Sequence, residues 1–385
     1  MKKLLFMMLA SAAAVSAHAQ DALKIGVLAS LSGPGAPWGQ AILYGTQFAA
    51  DDVNAKGGLQ VGDKTYKIEL VPYDDKYQAS EAVTAANRLI FEDKVKFIMG
   101  PMGGATALAI GPTVEKHGVL TTTMAFTPLA LGPDKPLTFR PVLTTSETAG
   151  VQVAWAVKKY GLKKVGGLFP NDETGQKIVV DLESAYARAG VPLAAKEMFE
   201  RDRLDMVPLL TRLMAQGVDA IDLDGNAPAT AGLIVKQARE LGFKGLIIRS
   251  GGPATPEIVK VAGTQATEGM VVYAPIDPGN KAVAQYAERY LKAHNKPMNG
   301  FSPSYYDSAN MLFQAIAKAG TITDTKKVAD ALAAMHDYQG ILGTLNWTGK
   351  QAYGIDRQVN MPFYVAEVHA GKEKIVAQCT LTACQ

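Results

Sequence analysis

From Leu23 to near the C-terminus, short apolar runs alternate with stretches in which apolar residues recur every three or four positions. Parallel sheets covered by helices on both faces produce this rhythm, so the chain is predicted to be a doubly wound α/β protein. The first strand covers 23–31; a glycine-rich turn follows, then a helix that stops at Asn54 to Gly58. The spacing predicts further strands at 66–73, 96–100 and 119–124, with helices over 79–92 and 105–116 between them. In the 79–92 helix Val83, Ala86, Leu89 and Ile90 form the expected inner face. A second series begins near Ser146, with strands at 164–169, 194–199, 220–223, 246–249 and 270–273. Its helices start near Glu147, Gly175, Met206, Ala229 and Pro256, and several end on a glycine stop, at Gly161, Gly190, Gly217 and Gly242.

Beyond Pro275 to Gly279 the rhythm changes to three helices in near succession, 281–295, 303–319 and 325–336. They bring no parallel strands of their own to cover, so they are expected to return to the first series. Late strands at 343–347, 361–368 and 374–377 then complete the sheets. This arrangement crosses between two lobes at 140–144, 273–277 and 347–356. Lobe one would comprise 20–143 and 275–348, and lobe two 144–274 and 349–385. Lobes joined by several strands hinge, and they close over a ligand in the cleft between them.

At 385 residues and 48% hydrophobic composition, the chain has enough apolar material for two cores. Part of that material lies in a leader. Lys2 and Lys3 precede an apolar run from Leu4 to Val15 and a small-residue ending at Ala17 and Ala19, which predicts export with cleavage after residue 19. The run is too short for a bilayer about 30 Å thick, and no later stretch approaches the ~20 apolar residues a spanning helix needs. The mature protein is therefore expected to lie in the periplasm and not to be embedded in the membrane. The two cysteines, Cys379 and Cys384, sit together at the C-terminus, where an oxidising compartment would favour a local disulfide over two free thiols. Of the formal charge of +3, the leader lysines supply two, and the remainder gives no pull toward nucleic acid or an anionic membrane surface.

Catalytic and cofactor signatures are scarce. The Gly33, Gly35 and Gly39 turn superficially matches a dinucleotide fingerprint. Two prolines occupy it, and the acids Asp74 and Asp75 lie about twice too far along for a ribose contact roughly 20 residues on. No serine stands in a GxSxG frame, and the histidines at 18, 117, 294, 336 and 369 lack the i, i+4 pairing of a zinc helix. No cofactor, metal or enzymatic role is expected.

The loops at strand ends say more, because ligands of open α/β sheets bind outside the carboxyl ends of the strands. Residues 100–106 carry a strand into a helix, so Gly103 and Gly104 permit close approach and the helix start offers free N–H groups to an anion. Residues 121–127 supply hydroxyls and an aromatic ring after the next strand. A carboxylate held by Gly104, Ala105, Thr106 and Thr127, with Trp38 and Phe126 against an apolar body, makes a chemically sensible pocket. The competing reading is a set of tight turns and capping threonines.

Several motifs in order resemble one family: Lys24 to Leu28, Ser32 to Pro34, Trp38 with Gly39, Asp52 to Gly58, Tyr73 to Asp75, Gly175, Gln237 to Gly242, Glu268 with Gly269, and Tyr306 with Asp307. Together, over essentially the whole mature chain, they are similar to the Leu/Ile/Val-binding type of periplasmic solute receptor. The resemblance implies a type I periplasmic binding fold, two Rossmann-like lobes on a three-stranded hinge, acting as a monomer that delivers solute to the permease of an ABC importer. It also implies that Ala125 joins Thr127 in the second carboxylate-binding loop, that Thr174, Asn226 and Gly252 approach from lobe two, and that Arg140 occupies the hinge. Two departures bear on the solute. Gly104 stands where amino-acid-binding members carry a serine, and Gly252 where they carry the acid that receives the α-ammonium group. A buried ammonium without an anion costs several kcal/mol. A carboxylate lacking the amino group therefore suits the remaining donors, unless Asp172, Asp222 or Asp224 supplies the anion. Arg249 would hold a second acidic group or serve as a structural arginine. A sensory module for a membrane signalling partner and a secreted hydrolase on a two-lobed scaffold are the competing functional classes.

Overall fold

The computed structural model describes residues 21–385; the leader expected over 1–19 lies outside the described residues. Strand β1 (Asp21–Ala29) is buried at nearly every position from Ile25 onward and pairs in parallel with β3 (Lys64–Asp74) and β4 (Phe97–Met102). β2 (Leu59–Val61) forms an antiparallel hairpin with β3, and β5 (Leu120–Met124) and β6 (Thr138–Phe139) extend the far side. The first sheet runs β2-β3-β1-β4-β5-β6. Helices α1 (Ala36–Ala55), α2 (Ala79–Asn87) and α3 (Gly104–Lys116) connect its strands.

The second series gives α4 (Thr145–Tyr160), β7 (Val165–Pro170), α5 (Glu173–Arg188), β8 (Leu193–Phe199), α6 (Val207–Ala215), β9 (Ala220–Asp222), α7 (Pro228–Glu240), β10 (Leu246–Arg249), α8 (Thr255–Ala262), α9 (Thr264–Thr267) and β11 (Val271–Ala274). Helix α4 starts on a capping box, in which Thr144 and Glu147 satisfy each other's backbone, and Gly161 ends it in a left-handed turn. Helices α10 (Lys281–His294), α11 (Ser302–Ala319) and α12 (Thr325–Ala333) follow. As expected, α11 returns to the first lobe: Leu312 and Ile316 share a core with Ile25 and Val27. Its approach to α1 is close because Gly45 has no side chain, and a Cβ there would lie 2.4 Å from the Ser302 carbonyl oxygen. The chain ends with β12 (Tyr338–Gly340), β13 (Gly343–Thr348), α13 (Lys350–Tyr353), β14 (Gln358–Asn360), β15 (Phe363–His369) and β16 (Lys372–Cys379). The second sheet runs β16-β15-β11-β10-β9-β7-β8.

Three local readings change. In α2 the inner stripe is Ala82, Ala85 and Ala86, and Val83 is 37% exposed. The helix leaves α geometry after Asn87, and Arg88–Glu92 forms a wider π turn that still buries Leu89 and Ile90. The last passage between sheets comes later than 347–356, because β14 pairs with β13 and only β15 rejoins the second sheet. Three residues are too few to show a strand period, so the expected break at 348/349 falls inside this small antiparallel unit. At the end of β16, Cys379 and Cys384 are joined in a disulfide.

Asp307 on α11 accepts hydrogen bonds from the Ile341 and Leu342 N–H groups at 3.0 and 3.1 Å. Burial nonetheless pushes its carboxyl up to about 7, and burial pushes that of Asp222 up to about 6. A raised folded value means that stability is fully present below the unfolded carboxyl value and is lost as pH rises through the folded one. Urea unfolding free energy is therefore expected to fall between about pH 4 and 7, and Asp307→Asn should flatten the upper part of that slope. An Asp307→Asn slope equal to that of the wild type between pH 6 and 7 would exclude Asp307 as a source.

Candidate functional site

The carboxyl ends of β1, β4 and β5 face those of β7, β9 and β10 across a cleft. The walls of the cleft are made mainly by Trp38, Tyr77, Met102, Met124, Phe126, Ile178 and Phe301. Its polar groups are few: Thr174, Arg201, Asp224 and Arg249. A mostly apolar lining with a few convergent polar groups is the usual makeup of a small-molecule site.

On the first lobe, Trp38 lies at the start of α1 and donates from Nε1 to the Pro253 carbonyl at 2.9 Å, across the cleft. Gly252 lies against the same ring. A Cβ there would come 3.3 Å from Trp38 Cζ2 and 3.1 Å from Arg249 Nη2, and its backbone holds φ +60°. Tyr77 is placed by the acids that end β3. Asp74 accepts from the Leu31 N–H and Asp75 from the Ser30 hydroxyl and the Tyr77 N–H, which fixes a turn with Lys76 and Tyr77 at positive φ. The Tyr77 hydroxyl lies 3.2 Å from Thr174 Oγ1 on the second lobe.

On the second lobe, Arg249 is fully buried at the end of β10. It donates to the main-chain carbonyls of Gly252 (2.6 Å), Asn226 (2.7 Å) and Leu223 (3.4 Å), with its guanidinium 5.8 Å above the Trp38 ring. Asp224 is the nearest acid, but its oxygens accept from Thr145 Oγ1 and the Gly225 N–H, both at 2.7 Å. Burial pulls the Arg249 guanidinium down and pushes the Asp224 carboxyl up. Arg201, past the end of β8, pairs with Asp172, donates to the Gly225 carbonyl at 3.1 Å and stacks on Tyr77 at 5.0 Å.

Of the residues singled out in the sequence, Trp38, Gly103, Phe126, Thr174, Arg249 and Gly252 line the cleft. The others do not. Ala105 faces solvent, and the Thr106 hydroxyl donates back to the carbonyls of Met102 and Gly103. Thr127 uses its hydroxyl to cap the turn at Leu129, while its carbonyl and that of Ala125 accept from Arg140. Asn226 points its amide into the Leu168 and Leu223 carbonyls. Gly104 is covered by Glu173 and Thr174 of the second lobe. Among the acids considered as a displaced anion, Asp172 is taken by Arg201 and the Gly175 N–H, and Asp222 by Tyr186 and Ser250. Asp224 alone of the three reaches the cleft. Tyr77, Arg201 and Phe301 were not foreseen. Arg201 carried a readable signal, its place just beyond the carboxyl end of a predicted strand.

Arg140 joins the segments that cross between lobes. It is fully buried, donates to Ala125 O at 2.9 Å, Thr127 O at 3.0 Å and Gln358 Oε1, and pairs with Glu147 at 3.3 Å. Its guanidinium also stacks on Tyr353 at 4.9 Å. The loop after β5, the first crossover, the start of α4 and the β14 segment thus share one side chain.

Residues 22–373 match the family described as periplasmic binding protein. The chain is 28% identical over 323 residues to the Leu/Ile/Val-binding protein BraC3 of Rhizobium johnstonii, covering 82% of this chain and 84% of that one. Its fold is similar to that of the branched-chain amino acid transporter substrate binding protein LivJ from Streptococcus pneumoniae, solved with isoleucine. The TM-score is 0.81 and the identity 23%, over 94% of this chain and 99% of that one. It is also similar to an R. palustris ABC transporter solute binding protein solved with benzoate, with a TM-score of 0.80 and 19% identity, over 94% of this chain and 97% of that one. At these identities the two solved structures speak for the fold alone.

Proposed function

Because this chain belongs to the periplasmic binding protein family, we propose that it is the solute receptor of an ABC importer of the branched-chain amino acid type, working as a monomer in the periplasm. It binds a small carboxylate-bearing solute with an apolar body between its lobes and presents the closed form to the permease. It performs no turnover.

The observation that supports this reading is Arg249. A guanidinium withdrawn from water, hydrogen-bonded only to main-chain carbonyls and flanked by an acid whose oxygens accept from other donors, is where an incoming carboxylate gains most. Around it, Trp38, Phe126, Met102, Met124 and Phe301 offer aromatic and thioether surface to a flat or branched body. We assign the second-lobe contacts to Thr174, Arg249 and Gly252 and the first-lobe contacts to Trp38, Gly103, Phe126 and Tyr77.

A thermal-shift panel tests the reading, since a ligand that binds only the folded state raises Tm. Benzoate, 4-methylpentanoate, leucine and short dicarboxylates would be compared with benzamide, 4-methylpentanamide and leucinamide. At least one acid is expected to stabilise the protein while its amide does not. Equal stabilisation by acid and amide would remove the carboxylate from the reading.

A further inference from the structure

Both guanidinium groups that line the cleft, Arg201 and Arg249, are anchored on the loop between β9 and α7. Arg201 donates from Nη1 to the Gly225 carbonyl at 3.1 Å, and Arg249 donates from Nη2 to the next carbonyl, that of Asn226, at 2.7 Å. The two cations thus sit on consecutive peptides. They are near enough to repel: burial lowers the Arg249 guanidinium, and the charge of Arg201 pulls it the same way.

Each is fixed on its own lobe and faces an aromatic ring of the other. Arg201 Nε pairs with Asp172 Oδ2, and Asp172 is held in turn because its Oδ1 caps α5 by accepting from the Gly175 N–H at 2.9 Å. The Arg201 guanidinium lies 5.0 Å over the Tyr77 ring, as that of Arg249 lies 5.8 Å over Trp38. Guanidinium N–H groups donate within the plane of the group, so stacking covers a face without using a donor.

The hydrogen-bonding inventory around the two arginines is uneven. Arginine carries five N–H donors and no acceptor. Arg201 places three of them, on Asp172, on the Gly225 carbonyl and, at 3.5 Å, on the Tyr77 hydroxyl. Arg249 also places three, on the carbonyls of Gly252, Leu223 and Asn226. Each therefore keeps two N–H groups without a protein acceptor among the described residues. The acid that lines the cleft, Asp224, already accepts from Thr145 Oγ1 and the Gly225 N–H. A solute entering here meets a surplus of donors, and what it gains most from presenting is acceptors.

We propose that Arg201 is a specificity-determining residue of the cleft, and that the solute carries a second hydrogen-bond acceptor close to its carboxylate, as a 2-oxo acid does. Arg249 receives the carboxylate and Arg201 the neighbouring oxo oxygen. An α-ammonium in that place meets N–H donors and a positive charge. This deepens the solute-receptor reading and rests on it.

Titration calorimetry with two matched triplets tests the assignment: 4-methylpentanoate, 4-methyl-2-oxopentanoate and leucine, and phenylacetate, benzoylformate and phenylglycine. Within a triplet the carboxylate and the apolar body stay constant and only the group beside the carboxylate changes. In at least one triplet the oxo acid is expected to bind the wild type about tenfold or more tighter than both the parent acid and the amino acid. Arg201→Met keeps an unbranched apolar side chain against Tyr77 and should shrink that ratio to about twofold or less, whatever becomes of the individual affinities. If parent and oxo acid weaken together and the ratio survives, Arg201 is structural and the assignment is overturned. A wild type that binds neither oxo acid more tightly than its parent and amino acid also overturns it, while leaving the carboxylate reading standing. Should Arg201→Met not fold, Arg201→Lys decides: its ammonium stays with Asp172 without the second arm of the fork, so the ratio should still fall about threefold or more, and an unchanged ratio overturns the assignment. Binding of none of the six compounds removes the carboxylate reading and this assignment with it.

Discussion

Arg249→Met is expected to weaken binding of any stabilising acid by about 100-fold or more while leaving a folded protein. Methionine fills most of the arginine's volume and stacks on Trp38, so the apolar wall survives. What disappears is a buried cation beside the cleft that is hydrogen-bonded to main-chain carbonyls and to no acid. Truncating one member of a buried charge pair commonly costs about 2–5 kcal/mol, and each 1.4 kcal/mol is tenfold in Kd. Some stability is lost as well, because Asp224 stays buried without its nearby cation and three carbonyls lose a donor. Titration calorimetry on the variant, with its fold checked by circular dichroism, separates the two effects. If affinity for acid and amide forms falls equally, Arg249 shapes the loops without meeting the carboxylate.

The two lobes were legible because their strands are buried on both faces and read as continuous apolar runs. β1, β4, β7 and β11 lie within a residue or two of where the pattern puts them. What could not be read is what lacks a period: two- and three-residue strands such as β2, β6 and β14, and the π turn that closes α2. The glycines at the helix starts were visible without their meaning. A Cβ on Gly39 would lie 1.9 Å from the Ser30 carbonyl oxygen, and one on Gly175 lies 1.9 Å from that of Pro170. Each lobe therefore packs the helix that follows its first strand directly on the end of that strand, and the loop between must turn into the cleft.

The site was half legible for a related reason. Sequence position shows which loops leave the carboxyl ends of strands, and that sufficed for Trp38, Phe126, Thr174 and Arg249. It does not show which way a side chain within such a loop turns. Thr106 and Thr127 have the donors a carboxylate needs, yet both satisfy local backbone, the bland alternative for capping threonines. The acid missing at Gly252 was sought among aspartates beside predicted strands. None of the three is free to receive an ammonium: Asp172 is held by Arg201, Asp222 by Tyr186 and Ser250, and the oxygens of Asp224 accept from Thr145 and Gly225.

Arg140→Met should have the largest effect on stability, lowering unfolding free energy by about 3–5 kcal/mol, the usual cost of breaking a buried ion pair. Glu147 keeps its hydrogen bonds to the Thr144 N–H and hydroxyl and to Tyr353 but is left buried without its cation. The carbonyls of Ala125 and Thr127 and the Gln358 side chain lose their shared donor. Those acceptors come from the first-lobe loop and the last crossover, so the loss falls on the coupling between lobes. Urea unfolding followed by tryptophan fluorescence and by circular dichroism should therefore separate into two transitions in the variant and coincide in the wild type. Arg140→Lys is expected to recover only part of the stability, since one ammonium cannot reproduce the planar fork that spans these acceptors. A single transition at the wild-type midpoint in Arg140→Met would place the coupling in strands β11 and β15 instead, where the second sheet meets the crossovers.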